Sequence, residues 1–339
     1  MILVMKEHVA KQDVDALIAK FAWMHLRAQP CEEQGRYSIT LAFDAHVSID
    51  TNYFAQLPGV DHLLPSPQKF KLAGHSSQKK RTVIEIGQHT IGGGNFTVIA
   101  GPCSIESEQQ IHQTAAAVSA AGAKILRGGA FKPRTSPYEF QGLGEIGLQY
   151  MQSAAKQHHL LSVSEVMDTQ DIDLVAKYVD ILQIGARNMQ NFSLLKQVGK
   201  TGKPVLLKRG LSATYHDFLM AAEYILYTGN PNVILCERGI RTFETYARNT
   251  LDLAAIPMLR ELSHLPVIVD PSHGTGVRLA VPPMSYASLS AGADGIMVEV
   301  HPEPDHSVSD AQQTISPQTF QTMMDVLRQM GPVMNMDMR

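Results

Sequence analysis

The spacing of hydrophobic positions changes once along this 339-residue chain. Near the start, the apolar residues of KQDVDALIAKFAWMH recur on one side of a helix, and the runs MILVMK, RYSITLAFD and VDHLLP are typical of strands. A further strand around 26–31 and a short helix at TNYFAQLPG complete the order strand, helix, strand, strand, helix, strand. This order predicts a small ferredoxin-like α+β domain over residues 1–69.

A polar stretch over 70–82 has a composition that predicts a linker. From around residue 83, the sequence TVIEIGQHTIGGG predicts a hairpin around Gly87, and a regular alternation of strand and helix follows. Eight short apolar runs are typical of parallel strands buried on both faces, and they cover 96–101, 123–128, 161–166, 180–185, 204–209, 232–239, 266–273 and 295–302. Eight strand–helix units in about 250 residues predict a (β/α)8 TIM barrel, an α/β fold, over 83–339. A doubly wound open sheet is the structural alternative.

Composition limits the class of protein. The formal net charge is −3 and there are 3 cysteines, so neither a basic nucleic-acid surface nor a disulfide scaffold is indicated. No apolar run reaches the roughly 18 residues of a membrane span, and the start lacks a signal peptide. We therefore expect a soluble cytoplasmic protein that binds neither nucleic acid nor membranes.

Each predicted barrel strand ends in a charged or metal-binding residue type, and active sites of such barrels lie at the carboxyl ends of the strands. The cationic members, at strand ends or in the loops that follow, are Arg127, Lys132, Arg134, Arg187, Lys208 and Arg238. Arginine and lysine bind phosphate and carboxylate oxygens, so this set predicts a substrate with more than one anionic group. The alternative is that some of these cations pair with Glu165 and Glu237.

A second set combines a thiol, an imidazole and two carboxylates: Cys103, His273, Glu299 and Asp310. Thiolate, imidazole and carboxylate ligands together suit a divalent transition metal. They come from strands one, seven and eight, which adjoin when a barrel closes. A lone cysteine is more often a buried apolar residue, and His301, Asp305 and His306 are nearby alternatives as ligands.

The motifs GPCSIES, LRGGAFKPRTSP, GARNMQN, LLKRG, CERGIRTFE, VDPSHGTG and VEVHPEP, in this order, closely resemble those of the 3-deoxy-D-arabino-heptulosonate 7-phosphate (DAHP) synthases. The resemblance covers residues ~83–330, and residues 1–69 resemble the regulatory domain of one branch of that family. The 3-deoxy-D-manno-octulosonate 8-phosphate synthases share much of the barrel, but usually carry an asparagine-containing stretch in place of KPRTS. An octulosonate synthase, or another phosphoenolpyruvate-dependent sugar-acid synthase, is the alternative activity.

The resemblance implies condensation of phosphoenolpyruvate with erythrose 4-phosphate and water, giving DAHP and phosphate, the first step toward aromatic amino acids. It implies phosphoenolpyruvate contacts from Arg127, Lys132, Arg187, Lys208 and Arg238. It places the erythrose phosphate on Arg134, Thr135 and Ser136. Cys103, His273, Glu299 and Asp310 would bind Mn, Fe, Co or Zn. Glu165 is expected to orient the water, and Lys132 or His301 to protonate the new alkoxide.

The resemblance also implies a homo-oligomer, as a tetramer, and feedback inhibition by tyrosine or phenylalanine through residues 1–69. That domain alternatively serves only to stabilise the oligomer. Two other functions remain open from the residues: a Schiff-base aldolase with Lys208 or Lys132 as nucleophile, and a phosphate-binding regulatory protein without catalysis.

Overall fold

The computed structural model describes residues 1–33, 35–43, 50–64, 70–75, 78, 80–132, 136 and 138–338. The amino-terminal part has the predicted element order: β1 (Ile2–Met5), α1 (Lys11–Trp23), β2 (Arg27–Glu33), β3 (Arg36–Ala42), α2 (Thr51–Ala55) and β4 (Val60–Leu64). The four strands form an antiparallel sheet in the order β2-β3-β1-β4. Leu3, Ile39, Phe21 and Phe54 form part of its own buried core, as the ferredoxin-like pattern predicts.

A hairpin and eight further strands follow. The hairpin, predicted around Gly87, consists of β5 (Ile84–Ile86) and β6 (His89–Ile91). The other strands are β7 (Thr97–Gly101), β8 (Ile125–Arg127), β9 (Leu161–Glu165), β10 (Ile181–Ile184), β11 (Val205–Lys208), β12 (Val233–Glu237), β13 (Val267–Val269) and β14 (Gly295–Glu299). They pair in parallel and close into a barrel, because β14 pairs with β7. The predicted TIM barrel is confirmed, and the open sheet is wrong.

The barrel helices are α3 (Glu108–Ala120), α4 (Glu145–Gln157), α5 (Ile172–Tyr178), α6 (Phe192–Lys200), α7 (Tyr215–Tyr227), α8 (Ala255–Leu262), α9 (Pro271–Thr275), α10 (Val281–Ser290) and α11 (Pro317–Met330). Apolar side chains of alternate strand positions, such as Ile99 and Met297, cluster with Ile84 and Ile91 of the hairpin. The remaining apolar faces pack against the helices. Among the helices in the described ranges, none combines the length and apolarity needed to span a bilayer.

The strand predicted over 266–273 ends at Val269, so its last four residues were predicted wrongly. Asp270 instead caps the short helix α9: its Oδ1 accepts a hydrogen bond of 2.9 Å from the backbone N–H of His273, and Pro271 occupies the first turn. An aspartate followed by proline is a favourable helix start, and it turns the chain out of the barrel at this point.

Residues 70–75, inside the stretch whose composition predicts a linker, lie against the barrel. The carboxylate of Glu223 on α7 accepts hydrogen bonds of 2.8–2.9 Å from the backbone N–H groups of Lys71, Leu72 and Ala73. Leu72 and Ala73 are buried within the barrel's outer core. This part of the chain is therefore attached to the barrel, whereas the boundaries of the two domains stay a prediction.

We expect Glu223→Ala to reduce the free energy of unfolding by about 1–3 kcal/mol, because it leaves three backbone N–H groups without their acceptor. Denaturant unfolding of the variant and of wild type measures this difference. Glu261→Ala, at an exposed position of α8, is the matched control and should change it by less than about 0.5 kcal/mol. Equal effects in the two variants would contradict the role given to Glu223.

Candidate functional site

The carboxyl ends of the barrel strands open into a cavity of about 370 Å³. Eight of the predicted site residues line it: Arg127, Lys132, Glu165, Arg187, Lys208, Arg238, His273 and Asp310. Cys103 lies in an adjoining small pocket shared with Arg127 and Lys132. The barrel thus brings both predicted sets of chemistry, the cationic and the metal-binding, to one mouth.

The buried cations of this cavity have hydrogen-bond donors to spare. Arg127, Lys208 and Arg238 are each less than a tenth exposed. Among the described residues, no partner accepts from Nε or Nη1 of Arg127 or from Nη1 of Arg238. Burial lowers the pKa of Arg238 despite the charge of Asp270. Buried donors without acceptors are costly, and an anionic ligand would supply the acceptors that these two side chains lack.

Glu165 and Glu237 were the alternative partners of these cations, but their carboxylates accept hydrogen bonds from Gln183 and Arg209, respectively. Glu237 accepts a 2.8 Å hydrogen bond from Arg209, whose side chain also contacts Asp252 at 2.9 Å. Gln183 donates to Glu165 at 3.3 Å. Arg209 follows Lys208 directly, and successive residues of an extended chain face opposite sides, so Lys208 lines the cavity and Arg209 does not.

Cys103, Glu299 and Asp310 form a possible metal-binding group, with one ligand atom from each within 4.8 Å of the others. Cys103 Sγ lies 3.2 Å from Asp310 Oδ2. His273 completes the predicted set, because its Nε2 is 3.4 Å from Glu299 Oε1 and 4.0 Å from Asp310 Oδ2. A thiol, an imidazole and two carboxylates that converge in this way fit a divalent transition metal.

Asp270 connects the metal-binding group with the cationic set. Its Oδ2 lies 2.8 Å from Nδ1 of His273 and also contacts Nζ of Lys208. Burial opposes the ionised form of Asp270, but the charges of His273 and Lys208 hold its pKa well below the ordinary value. A carboxylate on the second ring nitrogen fixes the imidazole of a metal-binding histidine, and leaves Nε2 to face the ligand atoms. Sequence reasoning gave Asp270 no role.

Glu165 presents a free carboxylate oxygen within the site. Its Oε1 is buried and accepts no hydrogen bond from any described residue. Gly185 makes room for it, because a Cβ there would lie 2.1 Å from this oxygen. An acceptor of this kind beside the cationic residues suits a group that orients a water molecule.

His301 does not line the cavity. Its Nδ1 accepts a 3.0 Å hydrogen bond from the backbone N–H of Glu303, so Nε2 carries the hydrogen and faces Glu106 at 3.3 Å. Both ring nitrogens are thus engaged, and the geometry does not favour His301 as proton donor. Lys132 lines the cavity, and its Nζ lies 2.9 Å from Cys103 Sγ.

Comparison with known proteins identifies the family of this barrel. A sequence profile of the DAHP synthetase I family matches residues 75–335. The chain belongs to the DAHP synthetase I family. It is 44% identical over 331 residues to the phospho-2-dehydro-3-deoxyheptonate aldolase of Thermotoga maritima, covering 98% of each chain. The crystal structure of that aldolase, also titled DAHP synthase, superimposes with a TM-score of 0.80 over 99% of this chain and 98% of the other, at 42% identity.

More distant similarity extends to octulosonate enzymes. The 2-dehydro-3-deoxyphosphooctonate aldolase of Koribacter versatilis is 32% identical over 241 residues, or 65% of this chain and 85% of the relative. The similarity to the Thermotoga maritima protein includes the amino-terminal domain, since it spans nearly the whole chain. The octulosonate alternative is therefore the weaker one for this member of the DAHP synthetase I family.

The KPRTS motif of this DAHP synthetase I family member is only partly described. Arg134 and Thr135, expected to bind the erythrose phosphate, lie outside the described residues. Ser136 is described, and its hydroxyl accepts a 3.3 Å hydrogen bond from the backbone N–H of Tyr138. The assignment of the erythrose phosphate to this motif stays a prediction.

Eight cavity residues were not among the predicted site residues, and they include Gln183, Arg241, Arg248 and Asn249. Arg248 contacts Asp310 Oδ1 at 3.2 Å, and Asn249 donates to the backbone carbonyl of His273 at 2.8 Å. The last three lie beyond the end of β12, in a loop that a backbone bridge between Ile240 and Thr250 closes. Reading each whole loop, rather than the first residues after a strand, would have found the two arginines.

Proposed function

We propose that this chain is a metal-dependent DAHP synthase, which condenses phosphoenolpyruvate with erythrose 4-phosphate and water to give DAHP and phosphate. The observation that carries the proposal is the cavity itself, where buried cations with unused donors adjoin a metal-binding group. A substrate pair with two phosphates and a carboxylate needs the first feature, and an aldehyde to be activated needs the second.

Phosphoenolpyruvate is assigned to the inner part of the cavity. Arg127, Lys132, Arg187, Lys208 and Arg238 all line it and supply the positive charge for the phosphate and carboxylate. The two guanidinium groups with unused donors, of Arg127 and Arg238, provide planar forks for oxygen pairs. Arg134, Thr135 and Ser136 are assigned to the erythrose phosphate on the KPRTS motif alone.

Cys103, His273, Glu299 and Asp310 would hold the divalent ion, and Mn, Fe, Co and Zn all suit this mixed donor set. When bound, the ion would polarise the aldehyde oxygen of the aldose. Carbon 3 of phosphoenolpyruvate would attack the aldehyde carbon, and Lys132 would donate the proton that the resulting alkoxide requires. Glu165, with its free buried oxygen, would orient the water that adds to carbon 2, and the proton of this water would leave with the phosphate. Phosphate then leaves from the tetrahedral carbon.

The geometry disfavours the Schiff-base alternative at Lys208. Its Nζ is buried and pairs with Asp270, so this nitrogen is held in an ion pair and is not free to attack a carbonyl group. The phosphate contact proposed above explains its position without a covalent step. Borohydride trapping in the presence of substrate would distinguish the two roles.

Residues 1–69 are proposed to regulate the barrel. Their domain has its own core, and none of the described cavity-lining residues belongs to it. It contacts the barrel where the Arg27 guanidinium lies 5.9 Å from the centre of the Tyr227 ring. A tetramer and inhibition by tyrosine or phenylalanine, both implied by the family resemblance, are part of this proposal.

The activity is tested by release of inorganic phosphate from phosphoenolpyruvate with each aldose phosphate. We expect a much higher kcat/KM with erythrose 4-phosphate than with arabinose 5-phosphate, and the reverse order would identify an octulosonate synthase.

Arg238→Ala should weaken transition-state binding by about 2–5 kcal/mol, because it removes a buried partner of the substrate anion. Arg328→Ala, which removes a partner of Asp325 on α11 at a position that does not line the cavity, is the matched control and should leave activity unchanged.

Metal binding should release a proton. Burial and the charge of Glu299 raise the pKa of the Cys103 thiol to about 12, whereas burial lowers the pKa of His273. In the metal-free protein near neutral pH, the thiol is therefore protonated and the imidazole is neutral. We expect release of about one proton per ion, and an apparent affinity that rises about tenfold per pH unit.

Calorimetric titration of chelator-treated protein with Co²⁺, in buffers of different ionisation enthalpy, measures this proton. Cys103→Ser should abolish the thiolate–Co²⁺ absorption band and most of the affinity. Binding without proton release, together with full activity of Cys103→Ser in excess chelator, would remove Cys103 from the metal site.

The regulatory assignment predicts that millimolar tyrosine or phenylalanine slows the full-length enzyme. The physical reason is that an inhibitor must bind one arrangement of the two domains better than another, with a typical coupling of about 1–3 kcal/mol. Initial rates with leucine at the same concentration provide the control. Indifference to tyrosine, phenylalanine and tryptophan would leave the domain a structural role only.

A further inference from the structure

The loop that follows β14 carries Asp310 in an unfavourable backbone conformation. Asp310 has φ +51°, in the left-handed region that non-glycine residues seldom adopt. Its side chain nevertheless lies 3.2 Å from Cys103 Sγ, within the metal-binding group. A strained residue on a loop keeps one position only when its surroundings hold it there.

Glu106, three residues after Cys103, holds this loop. Its Oε1 accepts a 3.0 Å hydrogen bond from the backbone N–H of Val308 and contacts the hydroxyl of Ser307 at 3.3 Å. Its Oε2 faces Nε2 of His301 at 3.3 Å. All three partners belong to the segment between Glu299 and Asp310.

The contacts continue from there to the metal-binding group. Ser307 donates to the backbone carbonyl of Ser309 at 2.8 Å, and the Ser309 hydroxyl lies 3.2 Å from Cys103 Sγ. Glu106 is therefore linked to the cysteine through the chain on one side and through the loop on the other. It has no role in starting α3, because Ser107 caps that helix by accepting from the N–H of Gln110.

We propose that Glu106 is a positioning residue that fixes the loop at residues 307–310, so that Asp310 reaches the metal-binding group. The inference rests on the proposed metal site. Glu106 itself does not belong to the predicted ligand set or line the described cavity, so its effect passes through Asp310. Groups that orient metal ligands in this way typically contribute about 10–100-fold to metal affinity.

The structure also distinguishes a carboxylate from an amide at this position. A glutamine could still accept from the backbone N–H of Val308 with its oxygen. Its amide nitrogen would then face the N–H of His301, a donor against a donor, because Nδ1 of that ring accepts from Glu303. Glu106→Gln should therefore lose part of the effect and Glu106→Ala nearly all of it.

The test uses the full chain, freed of metal and titrated with Co²⁺ against a chelating dye, with its visible spectrum recorded. We expect Glu106→Ala to weaken Co²⁺ binding about tenfold or more, and Glu106→Gln by an intermediate factor. The thiolate–Co²⁺ band should persist in both, because Cys103 is still present. Glu303→Ala, on the same loop but with its carboxylate on the exposed His306, should bind within about twofold of wild type.

A double-variant comparison shows whether the effect passes through Asp310. The double variant Glu106→Ala with Asp310→Asn should bind Co²⁺ no more weakly than Asp310→Asn alone, since both changes remove the same ligand. Wild-type affinity in Glu106→Gln and in Glu106→Ala, or simple additivity with Asp310→Asn, overturns the inference while leaving the proposed function intact. Should Glu106→Ala not fold, the affinity of Glu106→Gln decides alone. Failure of the wild-type chain to bind Co²⁺ overturns both proposals.

Discussion

The pairing of the last barrel strand with the first is the constraint on which the site depends. β14 and β7 pair in parallel, with Gly295 opposite Thr97 and Glu299 opposite Gly101. Glu299 therefore lies beside a residue that is two positions before Cys103. Gly101 also allows β8 to come close, because a Cβ there would lie 2.1 Å from the carbonyl oxygen of Arg127. Backbone hydrogen bonds thus bring together a thiol, a carboxylate and a guanidinium from distant parts of the chain.

Paired charges behind the cavity hold its cations in place. Arg127 lies 3.1 Å from Glu299, and Lys208 contacts Asp270, each in a buried pair. Such pairs add little to the stability of a fold, because desolvation offsets much of the attraction between the charges. Their value here is orientation, since each anion leaves donors of its partner directed to the cavity. The cations are thus positioned before any substrate arrives, which avoids reorganisation during the reaction.

The fold and much of the site could be predicted from the sequence for a simple reason. Buried parallel strands are continuous apolar runs, and the residue that follows each run faces the active-site mouth of a barrel. The rule fails where a long-range contact determines the position of a side chain. Arg248 returns to the cavity through a loop closed by a long-range backbone bridge, and His301, at a strand end, is turned toward Glu106. Residues 70–75 have the composition of a linker, but Glu223, about 150 positions later, supplies their acceptor.

Asp270 links the binding of the two kinds of ligand that this site would take. One oxygen of this carboxylate interacts with both His273 and Lys208, so the proposed metal ligand and the proposed phosphate-binding cation share a single negative charge. A cation that draws electron density from the imidazole changes the field at the lysine, and an anion on the lysine changes the basicity of the imidazole. Heterotropic linkage of this kind is reciprocal: each ligand alters the affinity for the other by the same factor, whichever binds first.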